Sequence, residues 1–158
     1  MPLTDSRSQH PRPHEKTMAS STQDQLRALR QAIVQSHIDA ENTGNLDQVI
    51  ASFHCPRYEV FPMGAVFEGE QPVRDMIGGL VAAFPDFHFA PTTIHHADHA
   101  VIVEARSTGT HRGEWAGLPP KGNRLDFPLV CIFDFEEDRL INEKVYFDFA
   151  AVQRQLTA

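Results

Sequence analysis

The sequence predicts an α+β fold in which a curved antiparallel sheet wraps around N-terminal helices and forms a cone with an internal hydrophobic pocket. Two observations carry this prediction. Apolar residues recur at helical spacing in the first half of the chain, and they alternate strictly over residues 125–135 in the second half. Helices that pack on one face of an antiparallel sheet define the α+β class, and a strongly curved sheet leaves room for a pocket.

Three helices are expected in the first half of the chain, over residues 21–44, 45–53 and 70–84. The first starts with a sequence similar to a capping box and ends at a glycine. The second begins with a capping asparagine, and the third carries a proline in its first turn, where a missing N–H is harmless. Residues 58–67 are typical of a short hairpin between the second and third helices.

The second half of the chain is expected to be mostly strands. Residues 87–89, 100–110, 125–135 and 140–147 combine β-prone composition with alternation of apolar and polar residues. A short helix over residues 149–156 closes the chain. The phenylalanines of the alternating strand, Phe127, Phe133 and Phe135, are predicted to line a dry interior or cavity wall.

Residues 1–20 are polar, punctuated by proline and without periodicity, which predicts a disordered N-terminal tail before one folded domain over residues 21–158. The 14 Lys and Arg residues against 21 Asp and Glu residues give a formal charge of −7. This charge argues against nucleic acid and against an anionic membrane as partners. No hydrophobic signal core is present, so a cytoplasmic location is expected.

Asp148 is the first candidate for chemistry. It lies among aromatic residues, which disfavour the charged form of a carboxylate and so suit proton transfer, and strand alternation places Tyr146 on the same face. The alternative is that Asp148 is only the N-cap of the last helix. His111 closes a strand and either takes part in proton transfer or fixes the following loop, and Trp115 in that loop is either a lid or a plug.

No cofactor or metal site is expected. His95, His96, Asp98 and His99 resemble a set of metal ligands, but adjacent histidines on a strand point to opposite faces. A glycine-rich phosphate loop and a dinucleotide fingerprint are both missing from the sequence.

Two stretches, Ala83–Phe87 and Gly109–Gly122, resemble the SnoaL-like polyketide cyclase family. Their sequences are AFPDF and GTHRGEWAGLPPKG. The similarity runs from about residue 26 to residue 156. It implies the nuclear-transport-factor-2-like cone, a hydrophobic pocket, no metal or organic cofactor, and a homodimer or homotetramer formed through the sheet.

The resemblance also implies a reaction, since the family's cyclases close a polyketide ring by an intramolecular aldol reaction with an aspartate as general base and acid. At the matching position this chain has Val145, and Asp148 follows three residues later.

The sequence therefore predicts a small-molecule enzyme that acts on an apolar cyclic or polyketide-like substrate by proton transfer, either cyclisation or isomerisation. Asp148 and His111 are the expected catalytic residues. The expected substrate contacts are Tyr146, Trp115, Tyr58 and Phe133. The alternative is a non-catalytic module that binds a hydrophobic small molecule, and a third possibility is a structural dimer with a pocket filled by phenylalanines.

Overall fold

The computed structural model describes the backbone of residues 13–158 and the side chains of residues 22–158. The helices are α1 (Pro13–Asn42), α2 (Leu46–Ser52), α3 (Glu70–Ala83) and α4 (Phe149–Thr157). The strands are β1 (Arg57–Val60), β2 (Ala65–Glu68), β3 (His88–His96), β4 (Ala100–Thr110), β5 (Arg124–Glu136) and β6 (Arg139–Phe147). Within residues 13–158, no helix combines the length and the apolar character that crossing a membrane requires.

Helix α1 begins earlier than the sequence predicts. Pro13 is its first residue, a position at which proline fits a helix, and residues 14–21 contain no glycine or proline that would interrupt it. The last part of the predicted disordered tail is therefore helical. The prediction for residues 1–12 lies outside the described residues.

The six strands form one curved, unclosed sheet in the order β2-β1-β6-β5-β4-β3. Every neighbouring pair is antiparallel except β1 and β6, which run parallel and place Tyr58 opposite Glu143. The predicted hairpin and the predicted antiparallel strands thus join in a single mixed sheet. The α+β fold is confirmed, and the parallel pair brings two distant parts of the chain together at one place.

Alternation along the strands separates an apolar concave face from a convex face on which charged and apolar residues are mixed. The concave face packs against α1 through buried residues such as Val34 and Ile38 of the helix and Phe133 of β5. On the convex face, Lys144 is paired with Asp134 at 2.7 Å. The homodimer or homotetramer expected through this sheet stays a prediction.

The loop after β4 is held tightly against the end of α3. The backbone N–H groups of Arg112 and Gly113 both donate to the carbonyl oxygen of Ala83, at 2.7 and 3.1 Å. A Cβ on Gly113 would lie 2.8 Å from the carbonyl oxygen of Ala82, closer than real Cβ contacts come. Only glycine therefore fits at this point without a shift of the backbone.

We predict that Gly113→Ala lowers the free energy of unfolding by about 1–3 kcal/mol, because the added methyl group must push backbone atoms apart. The matched control is Gly79→Ala in α3, where an added Cβ meets no atom within 4 Å. This change should raise stability by up to about 1 kcal/mol, since alanine is the better helix former. Urea unfolding of both variants measures the difference, and equal effects would contradict the packing described.

Candidate functional site

A cavity of about 360 Å³ lies between the concave face of the sheet and the helices α1 and α3. This is within the range of roughly 300–1,000 Å³ that is typical of small-molecule sites. Its walls are mostly apolar and rich in aromatic rings, with contributions from β1, β2, α3, β3, β5, β6 and the loop after β4. The aromatic lining residues are Tyr58, Phe67, Phe84, Phe87, Phe89, Trp115, Phe127 and Phe147.

A polar cluster of His37, Glu41, Tyr58 and Glu143 lies at the α1 side of this cavity. His37 and Glu41 are one helical turn apart on α1, while the β1–β6 pairing places Tyr58 next to Glu143. The Tyr58 hydroxyl donates to Glu41 Oε1 at 2.7 Å. His37 Nε2 lies 2.8 Å from the Tyr58 oxygen and 3.1 Å from Glu143 Oε2. Three of the four residues, Glu41, Tyr58 and Glu143, line the cavity.

The second ring nitrogen of His37 fixes the orientation of the imidazole. Its Nδ1 lies 2.7 Å from the hydroxyl of Ser52, which itself donates to the carbonyl oxygen of Val49 at 2.6 Å. The ring of His37 is fully buried and packs edge-on against Phe53 and Phe133. The imidazole is therefore held by neighbours on every side.

Burial and mutual charge shift the pKa values of the cluster. Burial alone would lower the pKa of His37, but the carboxylates of Glu41 and Glu143 outweigh it and raise the pKa to about 10. The pKa of Glu143 is raised from its ordinary value, first by burial and then by repulsion from Glu41. Burial also raises the pKa of Tyr58 well above its usual range. At neutral pH, His37 is thus a cation and Tyr58 a neutral hydrogen-bond donor.

The same cluster contains the atoms that could hold a metal ion. One ligand atom each from His37, Glu41 and Glu143 lies within 4.8 Å of the others. A metal ion would have to displace the proton that His37 keeps up to a pH of about 10. The histidines of the metal-like sequence pattern do not form a common centre, because His95 bonds Glu104 while His96 bonds Gln31.

The structure places Asp148 outside the cavity lining. Asp148 is the exposed N-cap of α4, and its side chain accepts from the backbone N–H of Ala151 at 2.9 Å. Tyr146 lies on the same outer face, where its ring stacks on Phe61. Asp148 therefore caps α4, as the N-cap alternative expects. The expectation that these two side chains point inward is wrong, because alternation along β6 turns Val145 and Phe147 towards the cavity instead.

His111 and Trp115 have different positions around the cavity. His111 is fully buried behind Phe84, on which its ring stacks, and it does not line the cavity. Its backbone carbonyl and N–H close the following loop by bonds with Gly122 and Asn123. Trp115 lines the cavity and packs edge-on against Phe84 and Phe149, so it forms part of the wall.

Of the other two predicted substrate contacts, Tyr58 lines the cavity, whereas Phe133 lies behind the polar cluster, against His37. Glu41 and Glu143 are site residues that were not predicted from the sequence. A signal for each was present: Glu41 follows His37 by four residues on a helix, and Glu143 shares the alternating inner face of its strand with Val145 and Phe147. A carboxylate on an apolar face is the unusual observation that marks both positions.

We predict that the protein loses stability as the pH rises from 6.5 to 10. The raised pKa of His37 means that the folded state holds a proton that the unfolded state releases, so its contribution is complete below pH 6.5 and disappears towards pH 10. The slope should reach up to about 1.4 kcal/mol per pH unit. Denaturant unfolding at a series of pH values measures it.

His37→Gln should lose most of this slope, and the exposed His54→Gln is the matched control that should keep it. A His37→Gln variant with the slope of the unchanged protein would show that a different group holds the proton.

Comparison with known proteins agrees with this architecture. A protein assigned to the SnoaL-like polyketide cyclases from Jannaschia sp. CCS1 superposes with a TM-score of 0.75 at 23% identity, over 83% of this chain and 93% of that chain. A protein assigned as a polyketide cyclase from Xanthomonas campestris pv. campestris gives a TM-score of 0.75 at 16% identity, over 83% of this chain and 98% of that one.

A third neighbour is a hypothetical protein with a ketosteroid isomerase-like fold from Catenulispora acidiphila DSM 44928, solved in complex with trimethylamine. It gives a TM-score of 0.67 at 18% identity, over 79% of this chain and 92% of that chain. Among curated proteins, none matches this sequence. The model of one family, described as SnoaL-like polyketide cyclase, matches residues 31–156, and the chain belongs to that family.

Proposed function

We propose that this chain is a SnoaL-type enzyme that encloses an apolar cyclic or polyketide-like substrate and moves a proton between its carbon and oxygen atoms. The reaction would be a cyclisation or an isomerisation. One observation carries the proposal: two carboxylates and a phenol, Glu41, Glu143 and Tyr58, lie together at one side of a mostly apolar cavity. A few convergent polar groups in an apolar pocket are what substrate orientation and proton transfer require.

The two carboxylates have different environments and therefore suit different roles. Glu143 has a raised pKa and a side chain that is only 3% exposed, so it is suited to carry a proton and act as the acid. Glu41, whose side chain is 14% exposed and accepts a hydrogen bond from Tyr58, is suited to be the base. Glu41 would take a proton from the carbon next to a carbonyl group, the electron pair would move to the carbonyl oxygen, and Glu143 would protonate that oxygen.

The proposed steps move protons between the substrate and two carboxyl groups, which is chemistry that general acids and bases perform without a metal ion. His37 acts as a positioning residue that holds Tyr58 and Glu143 in place through Nε2. The high pKa of Tyr58 keeps its hydroxyl protonated, so it remains a donor throughout the reaction.

A second candidate function is a binding module without catalysis. The specific observation that favours it is Val145, which lines the cavity at the position where the resemblance places the working aspartate of the cyclases. In that case the cavity holds a hydrophobic ligand, and the polar cluster only stabilises the fold.

We predict that the protein accelerates exchange of the α-hydrogens of β-tetralone, an apolar bicyclic ketone, in deuterated buffer. Glu41→Gln should slow this exchange by about 10²–10⁴-fold, the range typical of a lost general base. Glu136→Gln, at the exposed end of β5, is the matched control. Proton NMR measures the exchange. Bound ketone that exchanges no faster than in buffer would support the binding module and overturn the enzyme proposal.

Asp148 provides the competing assignment for the base. If Asp148 is only the cap of α4, Asp148→Asn should leave the exchange rate unchanged, since asparagine is an equally good cap. Asp148→Ala should reduce the free energy of unfolding by about 1 kcal/mol through loss of the cap. If Asp148→Asn loses the exchange activity while Glu41→Gln keeps it, Asp148 and not Glu41 is the catalytic base.

A further inference from the structure

The charged residues that line the cavity all have the same sign. Among the described residues that form its wall, Glu41, Asp75, Glu114 and Glu143 are acidic, and none is lysine, arginine or histidine. Two of these carboxylates, Glu41 and Glu143, lie within the polar cluster. The other two, Asp75 and Glu114, belong to exposed residues on α3 and on the loop after β4, at the outer end of the cavity.

This distribution follows from the alternation of the strands. On β6, Glu143 points inward while Lys144 points outward and pairs with Asp134. On β1, Tyr58 points inward while Arg57 lies on the outer face with Glu59. The sheet therefore keeps the basic side chains of these two strands on its convex face, and the one charged side chain that they present to the cavity is the carboxylate of Glu143.

We propose that the cavity selects an apolar substrate that carries a protonated amine, and that it rejects carboxylates and phosphates. This inference deepens the proposed function, because it names the substrate class, and it rests on the proposed function for the identity of the site. The cationic group would lie between the aromatic walls and the carboxylate of Glu41, with the apolar part of the molecule filling the remaining volume.

Charge balance within the polar cluster supports this choice. The cluster has two carboxyl groups and one imidazole, so it has one acidic group more than it has basic groups. An unbalanced charge in a dry cavity is costly, and a bound ammonium group removes the imbalance. A bound carboxylate would increase the excess of acidic groups. The described wall offers no cationic side chain that could pair with it.

The aromatic walls favour a cation for an independent reason. The faces of Trp, Tyr and Phe rings attract ammonium groups, and the attraction is stronger where water is excluded. Trp115, Phe84 and Phe147 all present their side chains to the cavity. At the outer end, Asp75 and Glu114 would raise the local concentration of cations and so increase the rate of association.

The test compares three ligands of nearly equal size: phenethylamine, phenethyl alcohol and phenylacetate, which differ in charge at pH 7. Isothermal titration calorimetry with the full chain should give a Kd for the amine about tenfold or more below that of the alcohol, with phenylacetate weakest. Benzyltrimethylammonium, a permanent cation, should bind as the amine does, since aromatic faces and carboxylates both accept it.

Glu41→Gln should remove most of the preference for the amine and leave the affinity for the alcohol within about twofold. The matched control is Glu104→Gln, an exposed residue of β4 that lies outside the cavity and should keep the preference. The double variant Asp75→Asn/Glu114→Gln alters only exposed positions, so it should fold. It should lower the association rate for the amine at low salt more than at high salt.

Three results would overturn the proposal: equal affinities for amine and alcohol, tighter binding of phenylacetate, or a larger thermal shift from Zn²⁺ or Mn²⁺ alone than from any amine. All are binding measurements that need no turnover. If the protein prefers the amine but does not accelerate the exchange of β-tetralone, the proposed ligand class is supported and the proposed enzyme activity is rejected. If it accelerates the exchange but does not prefer the amine, the enzyme activity is supported and the ligand class is rejected.

Discussion

The buried contact between His37 and the two carboxylates is the constraint on which the rest of the site depends. It joins α1, which supplies His37 and Glu41, to the parallel pair of β1 and β6, which supplies Tyr58 and Glu143. Removing either charge would leave the other buried without a partner, which is strongly destabilising. The helix can therefore lie across the concave face at one position only, and that position fixes the inner end of the cavity.

The shape of the cavity and its chemistry have the same origin. Aromatic side chains from the sheet and from Phe84, which follows α3, form much of the cavity wall. Burial is the largest cause of the raised pKa values of Glu143 and Tyr58. Without these walls, Glu143 would be an ordinary ionised carboxylate. Without the charges, the cavity would be an apolar space with nothing to orient a ligand.

Periodicity in the sequence was sufficient to predict most elements of the fold, because the buried face of a helix or an alternating strand produces a regular spacing of apolar residues in the local sequence. The parallel pairing of β1 and β6 was not predictable in this way, since nothing local records which distant strand becomes a neighbour. The site depends on that pairing, which places Tyr58 beside Glu143. Local sequence shows that Asp148 has aromatic neighbours, but it does not show that Phe147 turns into the cavity while Asp148 caps α4.

Alternation along β6 also determines how far the carboxylate of Glu143 lies from the position at which the resemblance places the cyclase aspartate. Residues 143, 145 and 147 share the inner face, so Glu143 lies one position along that face from Val145, a displacement of about 7 Å. If the resemblance places the cyclase aspartate at Val145, this chain has an apolar side chain there and carboxylates deeper in the cavity. A substrate of the proposed reaction would then have to reach further towards α1 to meet the proposed base, Glu41. The aromatic wall that it passes would select for molecules that are flat, apolar and long enough to reach Glu41.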